Sequence, residues 1–432
     1  MQSMIDQILK DLFPLNRSLS GEDNRKTLAY LQNLIPLRVL EFPSGTSAFD
    51  WTIPPEWNCR GGWIRNSHGE KLIDFEESNL HIMSYSVPVH KTMSLEELKP
   101  HLHYLENLPE AIPYRTTYYK RNWGVCVTYN QFQEKFSAGD YEVFIDSELN
   151  ERGSLVAGEI LVPGKSKKEI LISTYFCHPS LANDNLSGVV LTALLGRELM
   201  QRQNYYTYRI LFLPETIGPI AYGSRNPEIL KKAACALVVT TVGGPGKLGY
   251  KQCFDPKHRL NSLVEMALSK HEPDFITYPF DVHGSDERQY SSPGFRIPSV
   301  SITKDKYYEY PYYHTSLDNL DFVRPEALEK SYRAYLDLMD ILEKDLVYQR
   351  VEPHGEVMLS KHGLYPDTGG ALIPGRSSDE ELDTLLNFLF EIDGNTSLVK
   401  IAEKLNIPVN DLSKLAATLN EAGILKEAEE EG

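Results

Sequence analysis

Apolar residues recur at helical spacing at the start of the chain and form continuous runs further along it. Residues 4–12 carry apolar side chains three and four positions apart, which predicts a helix. Continuous apolar runs bounded by turn residues are typical of strands buried on both faces. Such strands are predicted at residues 169–176, 209–213, 236–242 and 297–303. Amphipathic stretches between and after them predict helices at residues 187–202, 259–271 and 325–346.

This alternation predicts the fold class. Strands that alternate with helices form a sheet with parallel strands and with helices on both faces. We therefore expect an α/β domain with a mixed, mostly parallel sheet, built from residues 1–49 and 120–375. In such sheets functional sites form beyond the carboxyl ends of the strands. Polar residues that directly follow the buried strands are therefore the first candidates for chemistry.

Two further segments have a different texture. Between residues 50 and 119, short apolar bursts alternate with Pro, Gly, Asn and Ser, which predicts an inserted β-rich domain. Residues 354–380 are rich in Gly and Pro and are typical of a connector. Residues 376–432 contain three short amphipathic stretches with tight turns and then a possible strand, which is the outline of a winged helix.

Composition narrows the functional classes. The 432 residues carry a formal net charge of −16, which argues against nucleic-acid binding because phosphate contacts need clustered Lys and Arg. Residues 376–432 hold five basic and thirteen acidic residues, so the winged helix is not expected to bind DNA tightly. The five cysteines include no Cys-x-x-Cys pair and indicate neither disulfides nor a thiolate zinc site. Without a signal-peptide pattern or an apolar run of ~18 residues, we expect a cytoplasmic protein that does not contact membranes.

Four polar residues lie just beyond the ends of predicted strands: His178, Asp184, Glu215 and His314. Two imidazoles and two carboxylates are the donor set of a zinc-type site with a general base to spare. A glutamate that is not a ligand can take the proton from an activated water, which then attacks a carbonyl. Structural roles fit the same residues, because a histidine at a strand end and Asn-Asp-Asn before a helix are commonly packing and capping features.

Four segments carry a resemblance to a known family: FCHPSLANDNLSGVV, LFLPETIGPIAYGS, GSDERQYSSPGFRIPSVSI and YYHTSLDN. In this order they resemble the metal site of the zinc aminopeptidase superfamily, which includes bacterial leucyl aminopeptidases and glutaminyl cyclases. The resemblance covers residues 1–49 and 123–350. The whole chain resembles a bacterial group that joins an aminopeptidase-like domain to an inserted β domain and a C-terminal winged helix. Some members of that group accompany polysaccharide biosynthesis.

The chain departs from the superfamily pattern in three places. Thr216 replaces the second residue of a Glu-Glu pair, whose carboxylate usually binds a second zinc ion. Thr240 and Thr241 lie where a metal-binding aspartate is usual. Ser180 lies where an aspartate usually orients the first histidine. The ligand set for two metal ions is therefore incomplete.

The resemblance and its departures together predict a site with one metal ion. We expect zinc, or another divalent metal, to be held by His178, Asp184 and His314, with water in the fourth position. Glu215 is expected to act as general base. The alternative, Glu215 as a ligand, is less favoured because the superfamily places its ligand at the adjacent position, here Thr216.

Four more residues are candidates for supporting roles: Asp286, Asp318, Tyr312 and Tyr313. Asp286 matches a Ser-Asp loop of the superfamily and is expected to orient the site or contact substrate. Asp318 follows His314 by four residues and either orients that loop or caps a helix. The tyrosines crowd the approach to His314, where they either pack the loop or line a substrate pocket.

The resemblance implies a zinc-exopeptidase-like fold and a metal-dependent hydrolase, most simply an aminopeptidase. Its expected substrate is a peptide or another small molecule with an amide bond, and homo-oligomerisation stays open. One alternative is an acyltransferase of the glutaminyl cyclase type, in which the metal activates a carbonyl. Another is a regulator without enzyme activity, in which a degenerate peptidase body carries an interaction domain.

Overall fold

The protein is described by a computed structural model that covers residues 1–364 and 380–428. The chain divides into two compact units, Met1–Leu336 and Asp337–Gly432. Most of the predicted connector, residues 365–379, lies outside the described residues.

The helices follow the predicted periodicity closely. The first buries Ile5, Ile8 and Leu9 along one face, as the spacing of its apolar residues predicts. The helices of the described residues are α1 (Gln2–Leu12), α2 (Glu22–Gln32), α3 (Leu95–Leu98), α4 (Tyr129–Lys135), α5 (Gly188–Leu199), α6 (Ile217–Arg225), α7 (Pro227–Leu230), α8 (Arg259–Ser269), α9 (Glu287–Tyr290), α10 (Pro325–Leu342), α11 (Glu380–Glu391), α12 (Leu398–Leu405) and α13 (Val409–Glu421).

The strands form one large sheet and several smaller ones. In chain order, the strands of the described residues are β1 (Arg38–Pro43), β2 (Ser47–Ala48), β3 (Trp51–Thr52), β4 (Glu56–Asn66), β5 (Lys71–Asp74), β6 (Val89–Ser94), β7 (Leu102–His103), β8 (Val125–Cys126), β9 (Asp140–Asn150), β10 (Ser154–Val162), β11 (Glu169–Tyr175), β12 (Thr207–Leu213), β13 (Ala233–Val239), β14 (Gly249–Lys251), β15 (Ile276–Tyr278), β16 (Ser299–Thr303), β17 (Tyr348–Arg350) and β18 (Leu425–Glu427).

The large sheet has eight strands in the order β1-β10-β12-β11-β13-β16-β14-β15. Its centre is parallel, from β12 through β11 and β13 to β16, and antiparallel pairs flank it. Every residue of β11 is buried, which explains the continuous apolar run in the sequence. The prediction that these central strands share one mixed sheet is confirmed.

Helices cover both faces of this sheet. On one face, α6 packs its Ile217, Ala221 and Tyr222 against Leu171 and Leu211 of the central strands. On the other face, α5 lies across β11, β12 and β13. The predicted α/β layering is therefore confirmed, and the carboxyl ends of the parallel strands form an edge to which several loops return.

A second sheet forms the insert. Its strands are ordered β5-β4-β9-β6 and are antiparallel throughout, over a separate apolar core that includes Ile64, Val143 and Ile145. Strand β9 pairs with both β4 and β6, so this sheet extends beyond residue 119, the predicted end of the insert. The alternating pattern of β9 predicts a strand but not its partner, because strand pairing joins residues that are distant in the chain.

The C-terminal unit has the predicted outline. Helices α11, α12 and α13 enclose an apolar core that includes Phe388, Leu412 and Leu419. The last strand, β18, is the predicted wing strand, and it pairs antiparallel with β17. The sequence analysis did not predict β17, which precedes the three helices and completes the two-stranded wing.

Candidate active site

The predicted site residues converge at the carboxyl edge of the large sheet. His178 follows the end of β11, and Glu215 follows the end of β12. Asp184 lies in the helical turn Ala182–Ser187 that precedes α5, and His314 lies in the loop after β16. Adjacent parallel strands end side by side, so their following loops meet.

The polar atoms of these four side chains surround one point. His314 Nε2 lies 3.0 Å from Asp184 Oδ2, and His178 Nε2 lies 3.9 Å from the same oxygen. Glu215 Oε2 lies 3.9 Å from His178 Nε2 on the other side. Asp184 and His178 are buried, whereas the side chains of Glu215 and His314 are 22% and 28% exposed. The site is therefore closed to solvent at Asp184 and open to solvent beside Glu215.

The donor atoms fit a metal ion. Asp184 Oδ2 and His314 Nε2 are buried and have no hydrogen-bond partner, although they are close to each other. Buried polar atoms without partners are costly, and a cation between them would satisfy both. In a tetrahedral site with zinc–ligand distances of ~2.1 Å, ligand atoms lie about 3.4 Å apart, between the two separations seen here. The set His178, Asp184 and His314 is therefore suited to zinc.

The local electrostatics hold two of these side chains in their ligating forms. Burial raises the pKa of Asp184, but the imidazoles of His178 and His314 outweigh it, and the result is a pKa of about 2. Burial lowers the pKa of His178 to about 4. A carboxylate and a neutral imidazole are the states that bind metal, so the site needs no proton release from these two groups at neutral pH.

Glu215 has the opposite tendency. Its burial, reinforced by the nearby carboxyl groups of Asp286 and Asp184, raises its pKa well above the ordinary value. These effects outweigh the nearby Arg288 guanidinium, which lowers the pKa of Glu215. Glu215 is thus distinguished from Asp184 by its environment, and the two acids are suited to different tasks.

The second oxygen of Asp184 has partners of its own. The Tyr175 hydroxyl donates to Asp184 Oδ1 over 2.7 Å and lies 2.6 Å from Thr240 Oγ1. Strand β13 ends at Val239, three residues before its predicted end, so Thr240 lies in the loop beside the site. The sequence analysis did not single out Tyr175; the available signal was its hydroxyl at the end of a strand that is buried throughout.

Asp318 holds the turn that carries Asp184. Its two carboxylate oxygens accept the backbone N–H groups of Asn183, at 2.6 Å, and of Asp184, at 2.9 Å. The Tyr310 hydroxyl also donates to it, at 2.8 Å. Asp318 lies in the loop of His314, so one carboxylate ties the two loops that carry proposed ligands.

Asp286 contacts the backbone beside Glu215. Its Oδ1 accepts the N–H of Thr216 at 2.7 Å, and Thr216 has a φ of 64°, an unusual conformation for a residue other than glycine. Burial raises the pKa of Asp286 to about 7. The hydrogen bond fixes the turn that directs Glu215 toward His178.

The two predicted tyrosines have different surroundings. The Tyr313 ring stacks on the imidazole of His314, with ring centroids 3.9 Å apart. The Tyr312 ring packs edge-on against Phe322, at 5.4 Å. Tyr313 therefore borders the site, and Tyr312 packs the loop.

The insert also supplies a residue to the site. The Tyr114 ring makes edge-on contacts with both His178 and His314, at centroid distances of 5.2 and 5.1 Å. The Tyr114 backbone N–H donates to the His314 carbonyl at 2.8 Å. No sequence signal marks Tyr114, because it lies in a segment that is far from the strand ends and contains no metal-binding motif.

Cys177 lies nearer His178 than strand alternation suggests. Its Sγ is 3.8 Å from His178 Nδ1 and accepts the backbone N–H of Glu215 at 3.2 Å. Strand β11 ends at Tyr175, so alternation no longer applies at residue 177. Cys177, His178 and Glu215 form a second group close enough to hold a metal ion. However, burial raises the pKa of the thiol well above its usual value, which disfavours the thiolate needed by a ligand or nucleophile.

A cavity of about 270 Å³ opens beside Glu215. Its walls include Leu19, Trp51, Tyr118, Tyr119 and Arg288. Three of these residues come from the segment predicted as the insert, so the insert lines the approach to the site.

None of the helices in the described part of the chain is long and apolar enough to cross a membrane.

The fold is similar to that of known aminopeptidases. The zinc aminopeptidase of Bacillus subtilis has a similar fold, with a TM-score of 0.59 and 13% identity over 78% of this chain and 93% of that one. A Shewanella amazonensis peptidase M28 precursor is similar at a TM-score of 0.53, with 14% identity over 78% of this chain and 92% of that one. At these identities the likeness concerns the fold alone.

The chain belongs to the family described as a domain of unknown function, DUF4910, which its residues 6–345 match. Residues 346–427 match a winged helix-turn-helix family. A protein of Clostridium acetobutylicum is 43% identical over 98% of this chain and 96% of its own length, and its name provisionally gives polysaccharide biosynthesis with an aminopeptidase-like domain. A crystal structure from the same organism, provisionally described as a peptidase, has a TM-score of 0.85 and 41% identity over 99% of this chain and 96% of that one.

Proposed function

We propose that this protein is a metal-dependent hydrolase of peptide or other amide bonds. His178, Asp184 and His314 hold one zinc ion or a similar divalent metal, and Glu215 is the general base. The observation that carries the proposal is the pair of buried, unpartnered atoms Asp184 Oδ2 and His314 Nε2, with Glu215 at the open side.

In this mechanism the chain's own residues move one proton. A zinc ion supplies Lewis-acid chemistry, which polarises a carbonyl group and acidifies water. Glu215 accepts a proton from the attacking water as its oxygen bonds to the carbonyl carbon. Glu215 then gives that proton to the amine nitrogen as the C–N bond breaks. A raised pKa makes the Glu215 carboxylate a stronger base, which suits a group that accepts a proton and then returns it.

Asp286, Asp318 and Tyr313 support this chemistry as positioning residues. Asp286 fixes the backbone next to Glu215, and Asp318 fixes the backbone of Asp184. Tyr313 restricts the ring of His314. Catalytic groups need such support because small displacements of a ligand or base reduce rates sharply.

Two measurements test the proposal together. Elemental analysis of the purified protein is expected to show one equivalent of metal, and a panel of amides is expected to include a substrate. The panel contains aminoacyl amides and, because of the provisional role of the relative, N-acyl amino sugars. Glu215→Gln is expected to keep the metal and lose about 10²–10⁴-fold in rate. A Glu215→Gln protein with the parental rate, or without metal, would contradict the base assignment.

A glutaminyl cyclase activity has a distinct product. With a peptide that begins with glutamine, a cyclase releases ammonia and leaves a cyclic N-terminus, whereas an aminopeptidase releases free glutamine. Mass spectrometry of the products distinguishes the two reactions. Wild-type protein without metal and without turnover on any amide would instead support the regulator.

The C-terminal unit is proposed to act without tight DNA binding. Residues 376–432 carry a net charge of −8, and Lys414 is the only basic residue of α13, the helix expected to read DNA. A fluorescence anisotropy titration with duplex DNA is expected to show no salt-sensitive binding with a dissociation constant below about 1 μM. Proteins that recognise specific DNA sequences typically bind more tightly than this. A cytoplasmic location is part of the same proposal.

A further inference from the structure

The cavity beside Glu215 contains a guanidinium group without an ion-pair partner. Arg288 Nη2 donates to Thr216 Oγ1 at 3.0 Å, and Nη1 donates to the Val282 carbonyl at 3.2 Å. Its Nε is buried and has no partner. Within the described residues, no carboxylate lies at ion-pair distance from this group. Arg288 is therefore held in place by neutral acceptors.

The acidic residues near Arg288 in sequence have other partners. The Asp286 carboxylate accepts the backbone N–H of Thr216. Glu287 is buried and pairs with Lys251 Nζ at 3.0 Å, and it also accepts the Tyr307 hydroxyl at 2.7 Å. Glu215 and Asp286 feel the charge of Arg288 from beyond ion-pair distance, so the buried Nε–H of Arg288 is left for another group. Guanidinium groups pair with carboxylates and phosphates through two parallel hydrogen bonds.

Aromatic side chains form another part of the cavity wall. Trp51, Tyr118 and Tyr119 are 41%, 50% and 46% exposed, which is high for residues of their size. The rings of Trp51 and Tyr119 lie 6.1 Å apart, and the Tyr119 hydroxyl donates to the Thr52 carbonyl at 2.8 Å. Exposed aromatic groups at the mouth of a cavity are typical of ligand-binding surfaces.

We propose that Arg288 binds an anionic group of the substrate, a carboxylate or a phosphate, while Trp51 and Tyr119 pack against an apolar or ring portion attached to it. The inference rests on the proposed function for the place of the scissile amide, which lies on the Glu215 side of the same cavity. It narrows the substrate class to amides that carry a negative charge. A peptide substrate that ends in a neutral C-terminal amide would lack this contact with Arg288.

Three small probes test the pocket without turnover: phenylacetate, phenyl phosphate and phenylacetamide. They share a ring and differ in the charge and shape of the head group. Titration calorimetry of the full chain is expected to give at least about tenfold tighter binding for an anionic probe than for the amide, the ratio expected for one charge-assisted pair. The two anions compared with each other separate a carboxylate from a phosphate specificity.

Substitutions identify the responsible group. Arg288→Gln is expected to abolish the preference for the anions and to leave phenylacetamide binding unchanged. Arg288→Lys should keep part of the preference, because the positive charge remains. Arg60→Gln, at an exposed residue of β4 outside the cavity, is the matched control and should change nothing. The thermal midpoint of each variant shows whether the fold is intact.

Two results would overturn the inference. Equal binding of all three probes, or an anion preference that survives in Arg288→Gln, would show that Arg288 only balances the charge of Glu215. Binding of no probe by the intact protein would show that the cavity is not a ligand site. Neither result would contradict the proposed hydrolase activity, which is tested separately by the metal content and by Glu215→Gln.

Discussion

The two oxygens of Asp184 have opposite surroundings. Oδ2 lies between the imidazoles of His178 and His314 and has no hydrogen-bond partner. Oδ1 accepts the hydroxyl of Tyr175, which in turn contacts Thr240. One oxygen of the carboxylate therefore suits a cation, and the other already accepts a hydrogen bond from the neutral Tyr175 hydroxyl.

This difference supports the proposal of one metal position and not two. A second ion would need carboxylates or imidazoles of its own near Oδ1. The residues there are Tyr175 and Thr240, whose hydroxyls are weak metal ligands and strong hydrogen-bonding groups. Thr216 adds no carboxylate on the Glu215 side. The residues at positions 216 and 240 are therefore enough to reduce the expected number of metal ions from two to one.

The largest expected effect is loss of metal on the Oδ2 side. His178→Ala or His314→Ala removes one of three proposed ligands and should lower zinc affinity by more than about 100-fold, the upper end of the effect of groups that merely orient a ligand. Competition with a chromophoric chelator measures the affinity. His68→Ala, at an exposed turn of the insert, is the control and should bind metal as the parent does. Full metal retention in either ligand variant would refute the assignment.

A smaller effect is expected on the Oδ1 side. Tyr175→Phe leaves a buried carboxylate oxygen without its donor and should destabilise the fold by about 1–3 kcal/mol, as measured by urea unfolding. The metal content should stay at one. Tyr175→Phe combined with Thr240→Asp supplies a carboxylate in place of the two hydroxyls and should raise the content toward two.

Two equivalents of metal in the parent protein would contradict the proposal that only the Oδ2 side of Asp184 binds a metal ion. A Tyr175→Phe protein as stable as the parent would show that Oδ1 has other donors. Thr240→Ser keeps a hydroxyl at that position and is the matched control for the combined variant.

The pH dependence of stability gives the smallest effect. The pKa of His178 is about 4 in the folded protein and 6.5 ordinarily. Between these values the unfolded chain binds a proton that the folded chain does not, so stability falls as the pH drops from 6.5 toward 4. With metal removed by chelation, the urea midpoint of His178→Gln should fall less over this window than that of the parent. Parallel curves would show that burial does not keep His178 neutral.

The sequence predicted the elements and the site residues unevenly. The central strands and α1 follow from local patterns of apolar residues, and the structure confirms them. The strand β9 has an equally clear pattern, yet its pairing with the insert was missed, since pairing depends on distant residues. Asp318 was expected to orient its own loop or to cap a helix; its carboxylate accepts the Tyr310 hydroxyl of that loop and also the backbone N–H groups of Asn183 and Asp184.

The sequence by itself determined which groups stand after the strands, because the order of strands and loops along the chain is a local property. His178, Asp184, Glu215 and His314 could therefore be named in advance. Only the tertiary structure decided which oxygen of Asp184 is free, because the donor of the other oxygen, Tyr175, lies on β11 and is itself held by Thr240 after β13. The same holds for Tyr114 and Arg288, whose positions depend on how the insert and the sheet edge pack. Hydrogen bonds and ring contacts between distant segments leave no periodic trace in the sequence, since they depend on the position of single atoms in the folded chain.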